Sequence, residues 1–286
     1  VAAPAAELVA ADVARALAED LGSGDVTAAL LPDEPQCGYV IAKEAAVIAG
    51  RPWFDACFRA LDPQVRIEWR IGEGDRVEAG TVICAFTGRS RALVSAERCA
   101  LNFLQTLSAT ATRTAEYAAA LAGTRTRVLD TRKTLPGLRL AQKYAVRVGG
   151  GVNHRIGLFD AVMLKENHIL AAGSIAAAAA QARARYPQLP LIIEVENLDE
   201  LDQALATDCT RILVDDFSLA DLREAVRRAG GRKPLEVSGG VELARLAEIA
   251  ATGVDYVSVG ALTKHVRAVD LSMRLGDAPA KQLPAG

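Results

Sequence analysis

The sequence predicts an α/β protein: an incomplete α/β barrel of about six strands, preceded by a small α+β domain. Three observations carry this. After Gly123, short apolar runs alternate with helix-length amphipathic stretches, the pattern of parallel strands joined by right-handed crossovers. Nearly every apolar run ends in a residue able to do chemistry, as in barrels whose sites lie at the C-terminal ends of the strands. The first hundred residues differ, with strands followed closely by turns, which fits a largely antiparallel sheet.

Taken in order, residues 8–21 carry apolar side chains at helical spacing and stop at Gly22, and residues 22–35 are turn-rich. Strand-like runs follow at 38–43, 65–71 and 81–86, with 74–80 read as a tight turn. That turn is an ordinary hairpin rather than a biotinyl or lipoyl carrier, because no Met-Lys tip is present. Residues 95–121 form a helix without Gly or Pro. Six strands are expected at 127–131, 161–165, 191–195, 212–215, 235–238 and 256–259, with helices at 198–206, 219–229 and 241–251. Six strands fall short of the usual eight, so the barrel is incomplete or closed by other elements.

The composition narrows the function. The 286 residues carry a net charge of −2, and 51% are hydrophobic, enough for a core without disulfides or a structural metal. A near-neutral chain of pI 6.0 argues against a general nucleic-acid surface. No stretch is long and apolar enough to span a bilayer, and residues 1–20 lack the basic and apolar regions of a signal peptide, so a cytoplasmic protein is expected. The five cysteines are scattered, with no CxxC, and read as reduced, mostly buried thiols. There is no HExxH, Walker A loop or GxGxxG.

Residues 125–165 hold nine lysines and arginines against two aspartates. These charges are interleaved with Gly149-Gly150-Gly151, Thr131, Asn153 and His154, which reads as a concave anion site rather than a solvated helix stripe. The planar fork of arginine suits carboxylate and phosphate. Ser238-Gly239-Gly240 closes a strand and is expected to open a helix at Val241. Val259-Gly260-Ala261 ends the next strand. Glycine loops on the last strands of a barrel are where phosphate binds. Glu194 and Asp215 end neighbouring strands, where two carboxylates either hold Mg²⁺, stabilise a developing cation or bridge to nearby cations. Glu196 shares the face of Glu194 if the strand continues. His154 sits within the basic segment, whereas His168 and His265 read as capping or core residues. The pair Asp215-Asp216 lacks the phosphate loop that a type I phosphoribosyltransferase needs, since Phe217-Ser218-Leu219-Ala220 follows it.

Several blocks carry a further signal: Asp130-Thr131-Arg132-Lys133-Thr134-Leu135-Pro136-Gly137, then Gln142-Lys143-Tyr144-Ala145-Val146-Arg147 with Gly149 to Arg155, then Leu164-Lys165-Glu166-Asn167-His168. With Glu19 to Thr27, Ala96-Glu97-Arg98, Glu194-Val195-Glu196, Ser238-Gly239-Gly240 and Val259 to Leu262, the chain resembles the quinolinate phosphoribosyltransferases over essentially its whole length. It departs in having Asp216 where the family commonly has Asn, and Ala28 in place of a common Thr.

The resemblance implies a type II phosphoribosyltransferase fold, with an N-terminal sandwich domain at 1–108 joined by 267–286 and a barrel at 109–266. It implies the conversion of quinolinate and phosphoribosyl pyrophosphate to nicotinate mononucleotide, pyrophosphate and CO₂ with Mg²⁺, a step of NAD biosynthesis. It places Arg132, His154, Arg155 and Lys165 on quinolinate, with Arg98 entering from the partner of a homodimer or larger assembly, and Lys133 on phosphoribosyl pyrophosphate. Glu194 and Asp215 hold Mg²⁺, directly or indirectly, or the ribose hydroxyls. Ser238, Gly239, Gly240 and Gly260 cradle the 5′-phosphate, and Thr131, Ser258 and Val259 complete the substrate-binding set. Lys165, Glu194 and Asp215 form the catalytic set. The rivals are a paralogous phosphoribosyltransferase, such as the molybdenum-transport-associated relative, a phosphate-binding barrel lyase or isomerase, and a non-catalytic anion-binding module.

Overall fold

A computed structural model describes residues 2–279, and residues 280–286 of the expected C-terminal contribution to the first domain lie outside the described residues. Along the chain the elements are α1 (Ala6–Leu21), β1 (Pro35–Ala42), β2 (Ala46–Val47), α2 (Arg51–Leu61), β3 (Arg66–Trp69), β4 (Arg76–Val77), β5 (Val82–Arg89), α3 (Ser90–Ala120), β6 (Arg127–Leu129), α4 (Arg139–Val148), β7 (Val162–Leu164), α5 (Glu166–Ala172), α6 (Ile175–Arg185), β8 (Leu191–Val195), α7 (Leu198–Leu205), β9 (Arg211–Asp215), α8 (Leu219–Ala229), β10 (Leu235–Ser238), α9 (Leu246–Ala250), β11 (Tyr256–Ser258), α10 (Ala261–Lys264) and β12 (Leu271–Leu275). Two compact units result: Val1–Arg113 with Leu135–Gly149 and His265–Gly286, and Thr114–Thr134 with Gly150–Lys264. Among the described residues no helix is long and apolar enough to cross a membrane.

The first unit holds a four-stranded antiparallel sheet in the order β12-β1-β5-β3. The segment 74–80, expected to be turn alone, contains β4, which pairs with β2 because Val77 buries its side chain. Helix α2 has no counterpart in the sequence reading. Trp53, Phe54, Cys57 and Phe58 put its buried face at helical spacing, but aromatic residues carry weak helix propensity and mask the pattern. Phe54 packs against Phe58 and Trp69, and Phe58 against Phe86, with ring centroids 4.9–5.2 Å apart. The buried carboxylate of Asp12 ties α1 to α2. It accepts the indole N–H of Trp53 at 3.0 Å and pairs with Arg15. Four cysteines are buried and Cys37 is exposed. Burial pushes the Cys57 thiol up to about 12, so it stays protonated and unreactive.

The second unit holds six parallel strands in the order β6-β11-β10-β9-β8-β7. Side chains alternate between two faces with period two. Leu191, Ile193 and Val195 of β8, Ile212 and Val214 of β9 and Leu235 and Val237 of β10 join residues of α6, α7, α8 and α9 in one apolar cluster. The opposite face forms the lumen of an incomplete barrel, where Ala161, Ile192 and Leu213 cluster with Met163. Three ladders end short of the expected strands, at Leu129, Leu164 and Ser258, so the polar residues beyond them enter the rim loops. The helix expected at 241–251 is instead a 3₁₀ turn, Leu243–Arg245, followed by the five-residue α9.

Asp12→Ala leaves the Trp53 N–H buried without its acceptor. We expect it to lower the stability of the first unit by about 1–3 kcal/mol, read as a lower urea midpoint, with Asp12→Asn losing less.

Candidate active site

Parallel strands bring all their C-terminal ends to one rim, and there the predicted residues meet. In the sheet order, β6 runs into Thr131, Arg132 and Lys133, β11 into Gly260, β10 into Ser238, Gly239 and Gly240, β9 into Asp215, β8 into Glu194 and β7 into Lys165. The rim is thus divided by charge. Cations come from the two edge strands, β6 and β7, carboxylates from β8 and β9, and small residues from β10 and β11. Arg98, also in the predicted set, is exposed on α3 in the first unit.

The ammonium of Lys165 lies 2.5 Å from Glu194 Oε2; the lysine is 46% exposed and the glutamate 15%. His168 brackets Lys165: its Nδ1 accepts the Lys165 N–H at 3.1 Å, and its own N–H donates to the Lys165 carbonyl. This is the expected capping role. Arg155 reaches into the lumen, 3.4 Å from the Ala161 carbonyl and 3.5 Å from Met163 Sδ. Burial and the neighbouring charge of Arg132 lower its pKa, against the pull of Asp160 and Glu194. An anion placed there relieves both penalties.

The glycines are fixed by close approach. A Cβ on Gly239, at φ 87°, would stand 2.5 Å from the Asp216 carboxylate, and one on Gly260 would stand 2.9 Å from Lys133 Cδ. Asp216 itself adopts φ 56°, a region that Asp and Asn tolerate better than most residues. Because no helix starts at Val241, an anion at Gly239-Gly240 meets left-handed backbone N–H groups rather than a helix end.

Two buried carboxylates, absent from the predicted set, organise the loops. Asp130 accepts the backbone N–H of His154 at 2.8 Å and the Asn153 amide at 2.6 Å, and Val152 bridges Leu129. This clamps the His154-Arg155 loop beside β6. Glu236, fully buried on the lumen face of β10, lies 3.2 Å from His154 Nε2 and 3.0 Å from Arg211 Nε, and accepts the Ser258 hydroxyl. Burial pushes its carboxyl up. His154, Arg211 and Ser258 outweigh that and hold it below the ordinary range, so it is ionised. One signal was available in the sequence: a lone Glu inside an otherwise apolar strand implies a buried partner.

Other placements correct the sequence reading. Arg139, Lys143 and Arg147 lie four residues apart on α4 in the first unit, with Lys143 buried, and Arg125 pairs with Asp255. The second unit's share of the basic segment is therefore smaller than the sequence count. The Val259 side chain belongs to the outer core and the Ser258 hydroxyl is turned to Glu236, so β11 offers the rim backbone rather than side-chain contact. Glu196 lies beyond the end of β8, its N–H held by Glu200 at 2.9 Å, and does not continue the Glu194 face.

Glu194 and Asp215 supply hard oxygen donors of the kind Mg²⁺ takes. Among the described residues, no group of three or more His, Cys, Asp or Glu is placed to hold a metal, and Glu194 already pairs with Lys165. The pair fits an ion that draws most of its ligands from water and a bound phosphate.

This arrangement defines an α/β-barrel enzyme whose rim takes a polyanionic ligand. Residues 110–274 match the family model "Quinolinate phosphoribosyl transferase, C-terminal domain", and residues 25–108 match "Quinolinate phosphoribosyl transferase, N-terminal domain". A Synechocystis sp. protein named "probable nicotinate-nucleotide pyrophosphorylase (carboxylating)" is 46% identical over 266 residues, 91% of this chain and 90% of its own. The nicotinate-nucleotide pyrophosphorylase (carboxylating) of Mycobacterium leprae is 42% identical over 92% of this chain and 95% of its own. The solved structure of the nicotinate-nucleotide pyrophosphorylase from Francisella tularensis superposes with TM-score 0.94 at 43% identity, covering 96% of this chain and 98% of that one. The chain belongs to the quinolinate phosphoribosyltransferase family.

Asp130→Ala removes an acceptor shared by two donors, and we expect the second unit to lose about 3 kcal/mol, read by chemical unfolding. Glu236 has a depressed folded pKa, so its stabilisation is present at neutral pH and is lost as pH falls below the ordinary glutamate value of about 4.3. Unfolding free energy measured from pH 6 downward should therefore decline less steeply in Glu236→Gln than in the wild type.

Proposed function

We propose that the chain transfers the phosphoribosyl group of phosphoribosyl pyrophosphate to the nitrogen of quinolinate, with decarboxylation, giving nicotinate mononucleotide, pyrophosphate and CO₂ in NAD biosynthesis. The observation that carries this reading is the charge-divided rim: cations for a dicarboxylate on the two edge strands, glycine loops for a phosphate on β10 and β11, and a carboxylate pair on β8 and β9.

In this reading Arg132, Arg155 and Lys165 take the quinolinate carboxylates, and the His154 loop sets their positions. Thr131, Lys133, Ser238, Gly239, Gly240 and Gly260 receive phosphoribosyl pyrophosphate, with Ser258 and Val259 contributing through their backbone. Glu194 and Asp215 face the positive charge that grows on the ribose as pyrophosphate leaves. They are also the residues that would hold Mg²⁺, which neutralises pyrophosphate charge when bound. Once the ring nitrogen is ribosylated it is cationic and stabilises the carbanion left at C2 when CO₂ departs. C2 then takes a proton. Lys165, held by Glu194, supplies a fixed positive charge beside the reacting carboxylate. Arg98 completes the site of a second copy in a homodimer.

A coupled assay with quinolinate, phosphoribosyl pyrophosphate and Mg²⁺ should yield nicotinate mononucleotide and CO₂ in equal amounts, and omission of any component should abolish both. Pyrophosphate release without CO₂ on another acceptor would move the chain to a paralogous activity. Lys165→Ala should lower kcat about 10²–10³-fold, and wild-type turnover in that variant would remove Lys165 from the chemistry. Mixing inactive Arg98→Ala and Lys165→Ala proteins should restore about a quarter of wild-type activity through hybrid dimers with one intact site. No restoration on subunit exchange would exclude the shared arginine.

A further inference from the structure

We propose that Glu236 is a positioning residue for the phosphoribosyl acceptor: it holds the His154 ring as the neutral Nε2–H tautomer, and through that ring it fixes the backbone of Arg155. The proposal rests on the reading that Arg155 meets an acceptor carboxylate.

The two ring nitrogens of His154 face different groups. Nδ1 accepts the Arg155 N–H at 2.6 Å, and a nitrogen that accepts carries no proton. A neutral ring that accepts at Nδ1 carries its proton on Nε2, which lies 3.2 Å from Glu236 Oε1, outside hydrogen-bond alignment. An imidazolium would set a second N–H against the N–H of Arg155, donor against donor. The groups around the ring agree with this assignment. Glu236 on β10 is balanced by Arg211 on β9 at 3.0 Å and by the Ser258 hydroxyl on β11, while Asp130 at the end of β6 holds the His154 N–H. The Arg211 guanidinium lies 5.3 Å from the Tyr256 ring centroid, which fixes it from below.

The consequence falls on Arg155. Its guanidinium already lies near that of Arg132 in a partly buried setting. A third cation at His154 would add like-charge repulsion where the acceptor carboxylates must dock. A neutral ring bonded to the Arg155 N–H and packed 3.2 Å from Glu236 gives order without that repulsion. His154 and Glu236 therefore act on the acceptor through Arg155 and are distinct from the phosphate side of the rim.

The test has two independent readouts. In uniformly ¹⁵N-labelled protein, whose three histidines simplify assignment, His154 should show a bare Nδ1 and a protonated Nε2 at neutral pH. An imidazolium or an Nδ1–H tautomer would overturn the proposal. In Glu236→Gln, KM for quinolinate should rise about tenfold, with KM for phosphoribosyl pyrophosphate and kcat within about twofold. Equal changes in both KM values, or no change in either, would also overturn it. If that variant fails to fold, Glu236→Gln combined with Arg211→Met removes both buried charges together and is judged by the same split. A wild-type protein inactive on quinolinate would sink the acceptor reading, whereas the tautomer measurement stands apart from it.

Discussion

A parallel sheet must bury both of its faces, and the second unit follows from that constraint. One face is covered by amphipathic helices. The other closes on itself as a lumen, where apolar residues share space with an ionised carboxylate and two arginines. With every strand pointing the same way, all six C-terminal ends reach one rim. The site is then assembled without long-range coincidence, because each βα connection delivers its own residue to the same place. The charge division of the rim has the same origin. Neighbouring strands carry neighbouring chemistries, so a ligand with carboxylates at one end and phosphates at the other meets each where it lies.

Charge burial sets the finer geometry. Glu236 is taken wholly out of water, which is costly unless every lone pair finds a donor. The Ser258 hydroxyl donates to it, and Arg211 and the His154 ring, from two other segments, stand 3.0 and 3.2 Å away. Asp130 accepts N–H groups from the His154-Arg155 loop beside β6. These two carboxylates touch no exposed surface, yet they determine where the cations of the rim point. The pair of Lys165 and Glu194 is of the opposite kind, since its lysine is exposed to solvent and open to displacement by a ligand.

Much of this was legible in the sequence. The strands 191–195 and 235–238 and the helix 219–229 coincide with the observed elements, because uninterrupted apolar runs and clear amphipathic periodicity leave little choice. The residues placed on the rim were also read correctly as strand-end residues. What escaped the reading was non-local. The strand β4 exists only because β2 lies opposite it. Helix α4 was hidden by its charges, since Arg139, Lys143 and Arg147 fit an anion pocket and a helix stripe equally well. Glu236 and Arg211 are on different strands, and their pairing is visible only once the lumen exists.

The sheet of the first unit carries a consequence for biosynthesis. Strand β1 emerges among the first residues of the chain, but its neighbour β12 is formed by residues 271–275. During synthesis one edge of β1 stays open while the whole barrel is made, and open strand edges are sites of mispairing between chains. The sheet that holds β1 is therefore completed only after the strands of the barrel have been made.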